Sequence, residues 1–255
     1  MKKLLCLSAL FLTYLSSKAQ LNHPNEHFTR VKGGIVRGDS TLPHVYLVFT
    51  ADAEAEGMLH ILKVLKEEKV KAGFFFTGNY YRNPENKEAT KKLIRQKHYL
   101  GPHSDNHLLY CSWENRDSTL VSKDSFLTDL RKNVSLIQQY GAKPKTKIYI
   151  PPYEWWNDTI AAWSKEAGWS IINFTPGIRT NTDYTTPDMV NYRSSEWIIQ
   201  SLKELHAQSP KAFNGAIILV HAGTHPARTD KFYYRLKEMI QWLKGEGFVF
   251  KEVAR

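Results

Sequence analysis

Val45-Tyr46-Leu47-Val48-Phe49 is a continuous apolar run of strand length, and Met58, Ile61, Leu62 and Leu65 follow it at helical spacing. A second apolar run, Ala72-Gly73-Phe74-Phe75-Phe76, comes next. A strand that is apolar on both faces belongs in a parallel sheet covered by helices, because a half-solvated antiparallel strand alternates. The helical stretch between the two runs is the crossover that parallel neighbours require.

Working outward, the alternation continues. Residues 90–97 have helical composition, Tyr99-Leu100-Gly101 reads as a short strand, and Leu127, Leu130, Val134, Ile137 and Tyr140 mark an amphipathic helix stopped by Gly141 and Pro144. Strands are expected at 147–150, 170–174, 216–220 and 248–253, and helices at 159–167, 197–208 and 232–244. The expected class is therefore α/β, a mostly parallel sheet wrapped by helices, with a (β/α) barrel as its closed form.

Toward the N-terminus the pattern breaks. Lys2 and Lys3 precede an apolar run over 4–15 that ends in Ser16-Ser17-Lys18-Ala19-Gln20, the layout of a secretory signal peptide and too short for a comfortable membrane span. Residues 1–20 are thus expected to be a leader that exports the protein to the periplasm or the extracellular space, with no integral membrane segment after its removal. Residues 21–43, with scattered Asn, His, Gly and Pro, read as an extended arm laid over a single domain at 44–255.

Loss of three leader lysines and no acid takes the formal charge from +10 to +7, so the protein stays basic. That balance suits anionic cell-wall polymers or membrane surfaces. No nucleic-acid module and no block of five like charges is present, so nucleic acid is not an expected partner. Cys111 alone remains after the leader, which excludes an intrachain disulfide and any site built on several thiolates.

In α/β folds the loops after strand C-termini converge at one end and carry the site. Asp52 follows the first strand, His103 and His107 the third, Glu154 the strand ending in Pro151-Pro152, and His221 follows Val220 directly. In His103-Ser104-Asp105-Asn106-His107 two imidazoles stand four apart, so on a helical turn they share a face. With Asp52 they form an Asp-His-His set that leaves positions open for water and substrate, as a catalytic zinc site requires. Tyr153, Trp155, Trp156, Trp113 and Tyr184 cluster in the rim loops, either as faces for sugar rings or as loop packing.

The chain resembles the polysaccharide deacetylases, the fourth carbohydrate esterase family, along nearly its whole mature length. Val45 to Asp52 looks like the family's first motif, a strand ending in Thr-Phe-Asp-Asp, and Ala72-Gly73-Phe74-Phe75-Phe76-Thr77-Gly78 like its Ala-Thr-Phe-Phe strand. Gly101-Pro102-His103-Ser104-Asp105-Asn106-His107 is similar to the second motif, His-Ser/Thr-x-x-His with its leading Gly. Tyr149-Ile150-Pro151-Pro152-Tyr153 is similar to the third, Arg-Pro-Pro-Tyr, and Ile218-Leu219-Val220-His221 to the fifth, Leu-x-His.

The resemblance implies a distorted (β/α) barrel of about seven β/α units. It further implies one divalent metal, zinc by ligand type, held by Asp52, His103 and His107, with His221 as general acid. The implied reaction is hydrolysis of N- or O-acetyl groups on a carbohydrate or cell-wall polysaccharide. Pro152, Tyr153, Trp155 and Leu219 are expected on the substrate side, Leu219 as the wall for the acetyl methyl.

Two departures go together. Ala51 stands where the family has its general-base Asp, and Ile150 where it has the Arg that orients that base. An Arg without its carboxylate would be an unpaired charge, so the joint loss is coherent. Among the rim acids Glu154, Asp105, Glu54 and Glu56, Glu154 is the first choice as replacement base; the alternative is a solvated loop acid or one paired with Arg179. The acid-rich fourth motif is replaced around Asn173-Phe174-Thr175-Pro176-Gly177, which leaves the carboxylate partner of His221 unidentified. The competing expectation is a carbohydrate-binding pseudoenzyme that kept the pocket and lost turnover.

Overall fold

The computed structural model describes residues 27–144 and 146–253; the leader expected at 1–20 lies outside them. The first long apolar run forms β3 (His44–Ala51), and the second forms β4 (Gly73–Phe76). They pair in parallel across the helix α1 (Met58–Glu67), with Val48 opposite Gly73 and Ala51 opposite Phe76. The β/α alternation continues through α2 (Gly78–Arg82), α3 (Lys87–Arg95), β5 (Tyr99–Pro102), α4 (Lys123–Gln139), β6 (Ile148–Tyr149) and α5 (Asp158–Glu166). It finishes with β7 (Ser170–Ile171), α6 (Ser195–Gln208), β8 (Ala216–His221), α7 (Leu236–Gly245) and β9 (Val249–Lys251).

The segment expected as an arm over the domain is part of the sheet. β1 (Phe28–Val31) and β2 (Gly34–Asp39) form an antiparallel hairpin, and β2 pairs with β8 at Arg37 and Ala216. The curled sheet runs β1-β2-β8-β3-β4-β5, with β9 beside the start of β3. The short parallel pair β6-β7 spans the remaining gap. One bridge, Ile35 with Ile172, joins it to the hairpin, and on the other side the Tyr99 hydroxyl shares its single hydrogen between the Thr146 and Ile148 carbonyls, 2.8 and 2.9 Å away. The result is the distorted barrel, closed by isolated contacts where β6 and β7 shorten to two residues each.

Side-chain alternation explains the unbroken apolar strands. Val45, Leu47 and Phe49 of β3 pack outward against the helices, together with Phe74, Phe76, Ile218 and Val220. Tyr46 and Val48 point inward with Phe75, Ile217, Leu219, Ile148 and Ile150 to fill the barrel. Each such side chain fully buried stabilises the fold by about 1.5–3 kcal/mol. Polar chemistry is thereby pushed to the strand ends.

Candidate active site

Asp52, immediately after β3, is fixed through one oxygen. Its Oδ1 accepts from the Thr77 hydroxyl at 2.6 Å and from Asn79 Nδ2 at 2.9 Å. Thr77 also caps α2, so the helix start and the Asp52 rotamer are set by one residue. Both of these side-chain bonds are made to Oδ1 and neither to Oδ2.

His103 follows β5 and is almost fully buried. Its Nδ1–H donates to the Ile150 carbonyl at 2.8 Å, which fixes the tautomer and leaves Nε2 as the lone-pair nitrogen. The stretch from 103 to 107 is not the helical turn expected from the spacing. Ser104 and His107 adopt left-handed backbone angles in a bent loop. Buried Asp129 of α4 ties that loop down by accepting from the Ser104 hydroxyl, from the Asp105 and Asn106 main-chain N–H groups and from the Tyr110 hydroxyl. The two imidazoles still come near each other, with ring centroids 5.2 Å apart. Burial pushes His103 well below the ordinary histidine range, reinforced by His107 and His221. Burial also lowers His107, against the opposing pull of Asp52.

Gly78 is required beside this loop, because a Cβ there would fall 1.9 Å from Asp105 Oδ1. Asp105 itself is bound to Arg82 at 2.7 Å and is spent on holding the loop. Glu56, another of the rim acids, pairs with Lys231 at 2.8 Å.

Glu154 lies in a short 3-10 turn after β6, where Tyr153 and Glu154 both take left-handed angles (φ 59° and 53°). That strained turn swings the Glu154 carboxylate inward to 3.8 Å from His103 Nε2. Burial pushes its pKa up to about 7, with His221 opposing and Asp183 adding to the rise.

His221, the last residue of β8, has the partner that the sequence reading left unidentified. Asp183, almost fully buried in the 3-10 segment Arg179–Tyr184, accepts the His221 ring Nδ1–H at 2.5 Å and its main-chain N–H at 2.9 Å. Burial works to lower the His221 pKa, but the Asp183 charge and hydrogen bond, together with Glu154, carry it above its usual value. Fully buried Arg228 secures the segment after Asp183 by donating to the Thr185 and Arg193 carbonyls at 2.7 and 3.0 Å.

The expected substrate-side residues divide. Tyr153 is exposed, with its ring 4.2 Å from that of His107. Trp155 is half-buried and donates to the Ser112 carbonyl at 3.1 Å. Pro152 is buried, and Leu219 is sealed in the barrel interior. Trp156 belongs to the core and donates to the Lys32 carbonyl. At the two departures, Ala51 is nearly buried at the end of β3 and the Ile150 side chain fills the barrel.

Among the described residues, no three His, Cys, Asp or Glu side chains are drawn together as a ready-made metal site. The donor chemistry of Asp52, His103 and His107 nonetheless suits a divalent ion. One atom each of Asp52 and His103 is tied to the scaffold, and burial lowers the proton affinity of both imidazoles, as a ligand nitrogen requires.

A family model for polysaccharide deacetylases matches residues 37–172, more than half of the sequence, and the chain belongs to that family. An uncharacterised 30.6 kDa protein of Geobacillus stearothermophilus is 25% identical over 98% of this chain and 92% of its own length. A peptidoglycan-N-acetylglucosamine deacetylase of Bacillus cereus is 23% identical over 76% of this chain and 78% of its own. Among solved structures, a carbohydrate esterase family 4 pseudoenzyme from Bacillus anthracis has the same fold, with TM-score 0.67 at 21% identity over 88% of this chain and 68% of that one. A mutant of that pseudoenzyme with restored enzymatic activity matches equally, at TM-score 0.67.

Proposed function

We propose that the protein is an exported, metal-dependent hydrolase that removes N- or O-acetyl groups from a carbohydrate or cell-wall polysaccharide. The reading is carried by one arrangement: the Asp183-held His221 and the partly buried Glu154 lie within electrostatic reach of each other, beside His103. Export rests on the composition of residues 1–20.

Asp52, His103 and His107 would hold one divalent ion, zinc by donor type, which when bound polarises the acyl carbonyl and acidifies water. Glu154, with its pKa near 7, accepts a proton from the attacking water as the water oxygen bonds to the acyl carbon. His221 keeps Nδ1–H on Asp183 and delivers the Nε2 proton to the leaving nitrogen or oxygen as its bond to the acyl carbon breaks. Acetate and a free amine or hydroxyl result; Glu154 then gives up its proton to solvent and His221 regains one. Glu154 takes the role left open by Ala51.

Acetate release from N-acetylated chitooligosaccharides, peptidoglycan fragments and acetylxylan, with and without added zinc, tests the proposal. Release from at least one of them that depends on the metal supports it. A second reading, a carbohydrate-binding pseudoenzyme, is favoured by Ala51 at the base position and by the likeness to the Bacillus anthracis pseudoenzyme. Binding of these glycans without any acetate release supports that reading instead.

A further inference from the structure

Residues 63–97 hold ten Lys and Arg against four Glu, so an excess of six positive charges falls in one stretch, out of +7 for everything after residue 20. Three of the four acids are spent in ion pairs: Glu67 with Lys237, Glu68 with Lys244 and Glu88 with Lys91. Lys63, Lys66, Lys69, Lys92, Arg95 and Lys97 form no ion pair among the described residues, and all but half-buried Lys92 are exposed. Lys63 and Lys66 of α1 and Lys92 of α3 line one cleft of about 410 Å³, together with Gln96 and the paired Glu67. Cations three apart on a helix face, Lys63 with Lys66 and Lys92 with Arg95, repel each other in the free protein.

The helix ends add an independent observation. α1, α3, α4, α5 and α7 stop in the same way: the residue after the cap is left-handed and its N–H bonds back to the last turn. After α4, α5 and α7 that residue is Gly141, Gly168 or Gly247, which takes such angles without strain. After α1 and α3 it is Lys69 (φ 55°) and Lys97 (φ 59°). Two strained lysines thus stand where this chain elsewhere uses glycine, and they carry the cationic face around to the N-terminal ends of β4 and β5.

A partner for this face must present many negative charges over a broad area, because the cations spread over two helices and two turns and do not follow one file. Phe74, Phe75, Phe76, Tyr80 and Tyr81 are buried, so residues 63–97 expose no aromatic ring on which a base or a sugar could stack. A bilayer with anionic headgroups meets both conditions, and the cleft between α1 and α3 offers charged donors to a phosphate. We propose that the α1–α3 face docks the protein on an anionic phospholipid surface. The face takes in the N-terminal ends of β4 and β5, whereas Asp52, His103 and His221 stand at the C-terminal ends of β3, β5 and β8, so the docked protein keeps its cleft clear of the lipid.

Docking needs no turnover, so the test is co-sedimentation with phosphatidylcholine vesicles, with and without about 30% phosphatidylglycerol. Neutral vesicles set the baseline, including any contribution of residues 1–20, which parent and variants share. Each cation near an anionic surface contributes about fivefold in affinity. The triple variant Lys63→Gln, Lys66→Gln, Lys92→Gln is therefore expected to lose on the order of 100-fold on anionic vesicles, and Lys69→Gly, Lys97→Gly about 20-fold. The glycine pair relieves two strained positions and is expected to melt no lower than the parent, which separates lost docking from lost folding. Arg131→Gln, Lys147→Gln, Lys165→Gln removes as much charge from the α4 and α5 side and is expected to keep the parent's affinity. An equal loss in that control, unchanged binding in both face variants, or no preference of the parent for anionic vesicles overturns the proposal. So does variant-sensitive binding of soluble polyphosphate without retention on vesicles, which makes a free polyanion the partner.

Discussion

The carboxylate of Asp183 accepts both the ring Nδ1–H and the main-chain N–H of His221, which fixes the tautomer of a histidine at the end of a barrel strand and leaves Nε2 as its other nitrogen. The two residues lie 38 apart in sequence, and Asp183 is almost fully buried. A buried acid in this position raises the proton affinity of the imidazole, and a general acid must still hold its proton at working pH.

Asp183→Asn removes the charge but keeps a hydrogen-bonding group of the same shape. Because Asp183 raises the His221 pKa, the alkaline limb of the kcat profile is expected to move to lower pH, and kcat at pH 8 to fall at least tenfold. Steady-state acetate release between pH 5 and 9 reads both effects. A profile superimposable on that of the parent contradicts the assignment.

Asn79 Nδ2 donates to Asp52 Oδ1 at 2.9 Å and so helps fix the carboxylate proposed above as an ion ligand. Asn79→Ala is expected to weaken zinc binding about 10–100-fold, the usual cost of losing such an outer partner. Competition with a fluorescent chelator measures it without any need for turnover. Retained zinc in a His103→Ala, His107→Ala double variant would contradict the ligand set itself.

His98, buried just before β5, accepts the Ala72 N–H on Nδ1 at 3.2 Å and donates from Nε2 to Gln96 at 3.2 Å. Burial, aided by Lys71, pushes its pKa down to about 4. The unfolded chain therefore binds the proton first. Stability is expected to fall as pH drops from about 6.5 through about 4, by roughly 1–2 kcal/mol between pH 7.5 and pH 5. Urea unfolding of the parent and of His98→Gln at both pH values checks this, since the variant lacks that contribution to the slope.

The strands and helices were legible because burial on both faces writes itself into continuous apolar runs, as in β3 and β4, and because α1 shows its stripe plainly. The hairpin was not. Its inward anchors, Phe28 and Ile35, are separated by mostly polar residues and by the Lys32-Gly33 turn, so no period emerges. Strand-end placement brought out His103, His107, Glu154 and His221, since loops at that end must converge. Asp183 escaped because it sits on an irregular segment with no repeat, and only the tertiary fold carries it to His221. Leu219 differs from its expected place for a related reason: its distance from His221 along the chain does not say which face of the strand it takes, and that face is the sealed interior.

Glu154→Gln tests the central claim, that Glu154 supplies the base missing at Ala51, most directly. The measurement is kcat for acetate release from an N-acetylated oligosaccharide by zinc-loaded parent and variant, alongside zinc content and melting temperature. The predicted result is a loss of about 10²–10⁴-fold in kcat with zinc content and melting unchanged. An unaltered kcat, or a variant that loses its zinc and thereby makes Glu154 a ligand, would contradict the account.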